Sequence, residues 1–82
     1  MDVKVRYFAA ARAAAGVDAE TVSLGPGATV GDLVATLRTR GATLSKVLDR
    51  CSFLCDEIAV RDVDKPLRTN QTLDVLPPFA GG

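Results

Sequence analysis

Histidine and tryptophan are absent from this 82-residue chain, which has only two cysteines, one methionine, one tyrosine and three phenylalanines. Structural zinc sites need about four ligands at characteristic spacings, so the single pair Cys51 and Cys55, with no histidine to join it, falls short. Charge of one sign is missing too. Ten basic residues balance ten acidic ones, and they are interleaved: Lys4 and Arg6 near Asp2, Arg50 near Asp49, Arg61 beside Asp62. Nucleic-acid binding leans on clustered Lys and Arg, so that class is set aside. Nor is there a long hydrophobic run. The longest, Phe8 to Gly16, is broken by Arg12 and is too short to span a bilayer. With no leader-like segment ahead of the first strand-like stretch, the expectation is a cytoplasmic protein. There the two cysteines act as small, partly buried hydrophobes.

What is present suits an ordinary globule: 48% hydrophobic and 24% charged residues. The length allows one compact domain with a modest core and no cleft between two lobes. An enzyme assembling its own pocket, acid, base and lid does not fit that size. No lysine or acid stands out as catalytic. A carrier, a binding module or a subunit of a larger assembly does fit.

Val3, Val5 and Tyr7 alternate with Lys4, Arg6 and Phe8, predicting a strand with the first set inward. Ala9 to Ala15 favours a short helix, with Gly16 placed for a left-handed cap. Thr21, Val22 and Leu24 predict a second strand, a hairpin partner for the first, before Gly25-Pro26-Gly27 breaks the chain. Thr29 reads as a helix N-cap with Asp32 completing a capping box. Val30, Leu33, Val34 and Leu37 then form an apolar stripe, Arg38 and Arg40 lie at the C-terminal end, and Gly41 closes the helix. Leu44, Val47 and Leu48 predict a further turn or two. Phe53 to Cys55 and Ile58 to Val60 read as strands around an Asp56-Glu57 turn, and Thr72 to Leu76 as the last strand. This order predicts an α+β fold in which a mixed sheet packs on one main helix, with the first and last strands parallel neighbours. That is the β-grasp, or ubiquitin-like, roll, expected over residues 1–76.

Residues 77–82, Pro77-Pro78-Phe79-Ala80-Gly81-Gly82, make a tail. Ordering a residue costs about 1–2 kcal/mol of backbone entropy, and glycine costs most, so a domain gains nothing structurally from closing on two glycines. The prolines stiffen the base into an extended form, and an aromatic follows. Six extended residues reach about 20 Å, enough to enter a partner's buried site. Glycines at the tip let a terminal carboxylate pass a narrow channel.

A ubiquitin-like pattern ending in Gly-Gly resembles the MoaD/ThiS family of sulfur carriers, and within it the small subunits of molybdopterin synthases. The likeness rests on Val3-Lys4-Val5-Arg6-Tyr7-Phe8-Ala9, Thr29-Val30-x-x-Leu33, Pro66-Leu67 and Leu76 through Gly82, which together span the chain. The resemblance implies a two-step use of the Gly82 carboxylate. A ubiquitin-activating-type adenylyltransferase joins it to AMP, using ATP and magnesium held by that enzyme. A persulfide donor then replaces AMP with sulfur. The thiocarboxylate delivers that sulfur to a cyclic pyranopterin phosphate in the large synthase subunit, in a heterotetramer of two large and two small subunits. The chain itself is then a non-catalytic carrier that binds no metal and no cofactor, with the sulfurtransferase groups in the large subunit.

Strand parity adds an inference independent of the family. With Val3, Val5 and Tyr7 inward, Phe8 faces outward beside Lys4 and Arg6; with Leu73 and Val75 inward, Leu76 faces outward beside Thr72 and Asp74. If the two strands are parallel neighbours, Phe8, Leu76 and Phe79 form an apolar patch at the root of the tail, a natural docking surface. The alternative is that Phe8 packs under the alanine helix. Three other functions remain open: a carrier for thiamin, tRNA or amino-acid thiolation, a protein modifier linking Gly82 to a lysine, and an interaction module with an inert tail.

Overall fold

The computed structural model describes residues 1–78. β1 (Asp2–Tyr7) leads through Phe8 into α1 (Ala9–Ala15), and β2 (Ala19–Ser23) returns antiparallel beside β1. The expected pairing is present, with the alanine helix inserted in its connection. Gly16, at φ 80°, donates its N–H to the Arg12 carbonyl and closes α1 as a left-handed cap. β2 begins at Ala19 and stops at Ser23, so Leu24 lies just past the strand, its N–H bonded to the Met1 carbonyl at 2.8 Å.

The capping box opens α2 (Val30–Arg38) as the sequence predicts. The Thr29 hydroxyl accepts the Asp32 N–H at 3.1 Å, and Asp32 Oδ2 accepts the Thr29 N–H at 2.9 Å. A further first-turn donor, the Gly31 N–H, reaches the Val63 carbonyl at 2.8 Å. Val30, Leu33, Val34 and Leu37 are all buried. The C-terminus differs from expectation. The helix ends at Arg38, because Thr39 and Arg40 tighten the last turn by donating to the Thr36 and Leu37 carbonyls. Gly41, at φ 154°, instead precedes α3 (Ala42–Leu48), which buries Leu44 and Leu48. Arg38 Nη1 bonds the Ser45 carbonyl at 2.8 Å and Asp49 at 2.7 Å, locking α2 to α3.

β3 (Ser52–Cys55) and β4 (Ile58–Ala59) flank Asp56 and Glu57, whose φ values of 48° and 70° are those of a two-residue primed turn. β4 is shorter than the Ile58–Val60 expected, although the Val60 N–H still reaches the Phe53 carbonyl at 2.9 Å. β5 (Thr72–Leu76) completes a five-stranded sheet of order β2-β1-β5-β3-β4. β1 and β5 run parallel in its centre, and the other neighbours are antiparallel. This is the β-grasp arrangement.

The inward set is the one that alternation predicts. Val3, Val5, Tyr7, Leu73 and Val75 are buried and join the α2 and α3 side chains, with Ala11, Val22 and Leu67, in one core. Three helices contribute, the main helix together with the alanine helix and the further turns that the sequence also predicts: α2 is the longest, and α1 and α3 add Ala11, Leu44 and Leu48. Among the described residues, no helix is long and apolar enough to cross a membrane.

Candidate docking face and tail root

The parallel register pairs Arg6 with Asp74 and Tyr7 with Val75. One step further along, Phe8 and Leu76 therefore occupy neighbouring positions. The Phe8 N–H donates to the Val75 carbonyl at 3.2 Å and closes the ladder there. Leu76 pairs on its other side with Ser52. Pro77 and Pro78 follow without N–H donors, so the sheet cannot continue and the chain leaves it at this edge. Phe8 is 38% exposed, Leu76 and Pro77 are half-buried, and Pro78 is exposed. Phe8 and Leu76 thus occupy adjacent positions where β5 gives way to Pro77 and Pro78. Phe79, Ala80, Gly81 and Gly82 lie outside the described residues.

Arg6 and Asp74 add what sequence reasoning missed. Both lie on the outward face, as alternation requires, yet Asp74 is only 4% exposed. Arg6 covers it with a two-pronged ion pair, Nε to Oδ1 at 2.6 Å and Nη2 to Oδ2 at 2.7 Å. The pairing pushes the Arg6 pKa up still further, first through the hydrogen bond and then through the carboxylate's charge. The Arg6 guanidinium also stands over the Phe8 ring, its central carbon 5.7 Å from the ring centre. A signal existed: a lone Asp inside the apolar Thr72-Leu73-Asp74-Val75-Leu76 run, and an Arg at an outward position of β1. Only the register says that the two meet.

Two open depressions of about 320 and 340 Å³ flank this pair. Asp56, Glu57, Thr72 and Asp74 line the first with Lys4 and Arg6. The second runs past Phe8 and Ala9 between Lys4, Arg6 and Arg12. Beneath the face, the Tyr7 hydroxyl donates to Glu20 at 2.7 Å, and Glu20 accepts from Arg40 at 2.8 Å. Burial, reinforced by Glu20, raises the Tyr7 pKa well above its ordinary value.

Cys51 and Cys55 are free thiols and half-buried, as the sequence suggested. Burial pushes both thiols up, so neither is activated as a nucleophile at neutral pH. Among the described residues no cluster of His, Cys, Asp and Glu is arranged to hold a metal.

Residues 5–82 match the ThiS family. The molybdopterin synthase sulfur carrier subunit of Chlamydomonas reinhardtii is 37% identical over 83 residues, with both chains covered completely. Among solved structures, a Pyrococcus furiosus protein provisionally named molybdopterin converting factor, subunit 1, superposes with a TM-score of 0.87. It is 30% identical, with 96% of this chain and 99% of that one covered. SAMP1 of Haloferax volcanii superposes with a TM-score of 0.88 over the whole of both chains, at 24% identity, a likeness of fold alone. A β-grasp sheet that releases its central last strand into Pro77-Pro78, matched along nearly its full length, makes this chain a member of the ThiS family.

Proposed function

We propose that this protein is a sulfur carrier of molybdenum-cofactor biosynthesis, donating sulfur from the C-terminus of Gly82. The observation that carries the reading is the full-length likeness to a molybdopterin synthase sulfur carrier subunit. The exit of β5 beside Phe8 and Leu76 supports it, because it gives the tail a docking face at its root. Residues 1–76 serve as the domain and 77–82 as the tail.

Chemically, the Gly82 carboxylate is a poor acyl donor because oxide is a poor leaving group. Adenylation by a ubiquitin-activating-type partner, with its own ATP and magnesium, turns AMP into the leaving group. Attack by the outer sulfur of a persulfide donor releases AMP and forms an acyl disulfide. A second thiol then attacks the donor's inner sulfur, becomes a disulfide with it, and frees the thiocarboxylate. That sulfur is nucleophilic, and in the large synthase subunit it attacks the cyclic pyranopterin phosphate. A dithiolene contains two sulfurs, so each product takes two deliveries and fits an assembly of two large and two small subunits. Pro77, Pro78, Phe79, Ala80 and Gly81 thread the large subunit's channel, while Phe8, Leu76 and Phe79 hold its surface. The carrier is cytoplasmic and non-catalytic by itself.

Intact mass spectrometry after incubation with ATP, the adenylating enzyme and a persulfide source tests this. A shift equal to oxygen replaced by sulfur, mapped to Gly82, supports the carrier. A mass equal to the sum with another protein makes the chain a modifier. No shift in the presence of an active adenylating enzyme refutes both.

A further inference from the structure

The docking face is not purely apolar. Arg6 spends Nε and Nη2 on the two oxygens of Asp74. Its third nitrogen, Nη1, has no hydrogen-bond partner among the described residues, and the side chain is partly exposed. A guanidinium is planar, so a side-on pair of this kind fixes where the remaining nitrogen points. Asp74 is itself held in the central strand β5, and Phe8 lies under the guanidinium. Arg6 is therefore held along one edge by Asp74 and against one face by Phe8. A freely rotating surface arginine loses rotamer entropy when a partner binds it, and this one has largely lost it already.

Its surroundings carry both signs of charge. The cleft past Phe8 is lined by Lys4, Arg6 and Arg12 against the single acid Asp18. Asp18 stands 3.7 Å from Arg12, and both are exposed. On the other side Asp56 and Glu57 share the first depression with Lys4 and Arg6, so the surrounding field is mixed in sign. The choice of acceptor rests on the guanidinium itself, whose N–H makes its strongest, charge-assisted bond to a carboxylate rather than to a neutral carbonyl. We propose that Arg6, oriented by Asp74 and Phe8, is a specificity-determining residue of the docking face and grips a carboxylate on an otherwise apolar surface of the synthase large subunit. This rests on the carrier reading above.

Arg6→Gln alone strands a buried carboxylate and confounds folding with binding. The informative variant is the double substitution Arg6→Met with Asp74→Leu, which replaces the ion pair by apolar side chains and keeps Phe8 and Leu76. Calorimetric titration of the full-length carrier against the large subunit of the same organism, at low and at high salt, is the measurement. The double variant is expected to keep the wild-type circular dichroism spectrum. It should bind roughly tenfold or more weakly at low salt, the loss of one charge-assisted bond, with the gap narrowing at high salt. Equal affinity at both salts makes Arg6 a plug over Asp74 and overturns the inference while leaving the carrier reading intact. Should the double variant fail to fold, Arg6→Lys decides: it keeps a charge beside Asp74 but gives up the outward nitrogen. Several-fold weaker binding upholds the inference, and unchanged binding overturns it. If the wild-type carrier does not bind the large subunit, the carrier reading fails and this inference with it.

Discussion

Phe8→Ala separates a docking residue from a residue that merely supports α1. Phe8 precedes the helix, and the residue is 38% exposed. A phenylalanine buries about 200 Å² when fully covered, which leaves ~75 Å² for a partner and ~125 Å² already buried within the monomer. At ~25 cal/mol per Å² the partner-facing part contributes about 2 kcal/mol of binding, roughly 25-fold in Kd. The monomer-facing part contributes about 3 kcal/mol of stability by the same conversion. Both effects are therefore expected, and they are measured separately. Urea denaturation of the isolated carrier reads the second. Titration against the large subunit, at a temperature where circular dichroism shows the variant folded, reads the first. Lost stability with unchanged Kd would refute the docking role and return Phe8 to packing beside the alanine helix. Unchanged stability would refute the area argument itself.

Three other outcomes are expected. Removing Gly82 abolishes adenylation, read as ATP–pyrophosphate exchange by the activating enzyme, and leaves the melting temperature unchanged; sulfur acquisition by the truncated chain would sink the mechanism. Thr29→Ala and Asp32→Ala each lower the unfolding free energy by about 1 kcal/mol, read by urea denaturation, and the double variant costs less than their sum because the two bonds form one box; strict additivity would argue against it. Thermal stability falls as pH rises above about 9, because the folded state holds the Cys51 and Cys55 protons above their ordinary 9.0 and the Tyr7 proton above its ordinary 10.0. This contribution is complete below those ordinary values and is lost progressively above them. Tyr7→Phe should flatten the upper part of the alkaline limb; a melting temperature constant up to pH about 11 would contradict the linkage.

Much of this architecture is legible from the chain alone, because alternation and helical spacing are local properties. Val3, Val5 and Tyr7, like Val30, Leu33, Val34 and Leu37, are buried where their spacing places them. The Thr29–Asp32 box and the Gly16 cap involve groups three or four residues apart, so their geometry is nearly fixed by sequence. Sequence spacing places the end of α2 at Gly41, beyond its observed end at Arg38. Thr39 and Arg40 satisfied the last carbonyls earlier, and glycine was free to serve the start of α3 instead.

The sequence by itself determined the inward-facing set and pointed to a parallel first and last strand. It also supplied a proline-stiffened tail ending on glycines. The tertiary structure alone decided the register between those strands, which brings Arg6 onto Asp74 across a separation of 68 residues. It also buried a carboxylate that parity had placed on the open face. Periodicity says which way a side chain points. Whether it meets a partner there depends on a ladder alignment that no local pattern encodes.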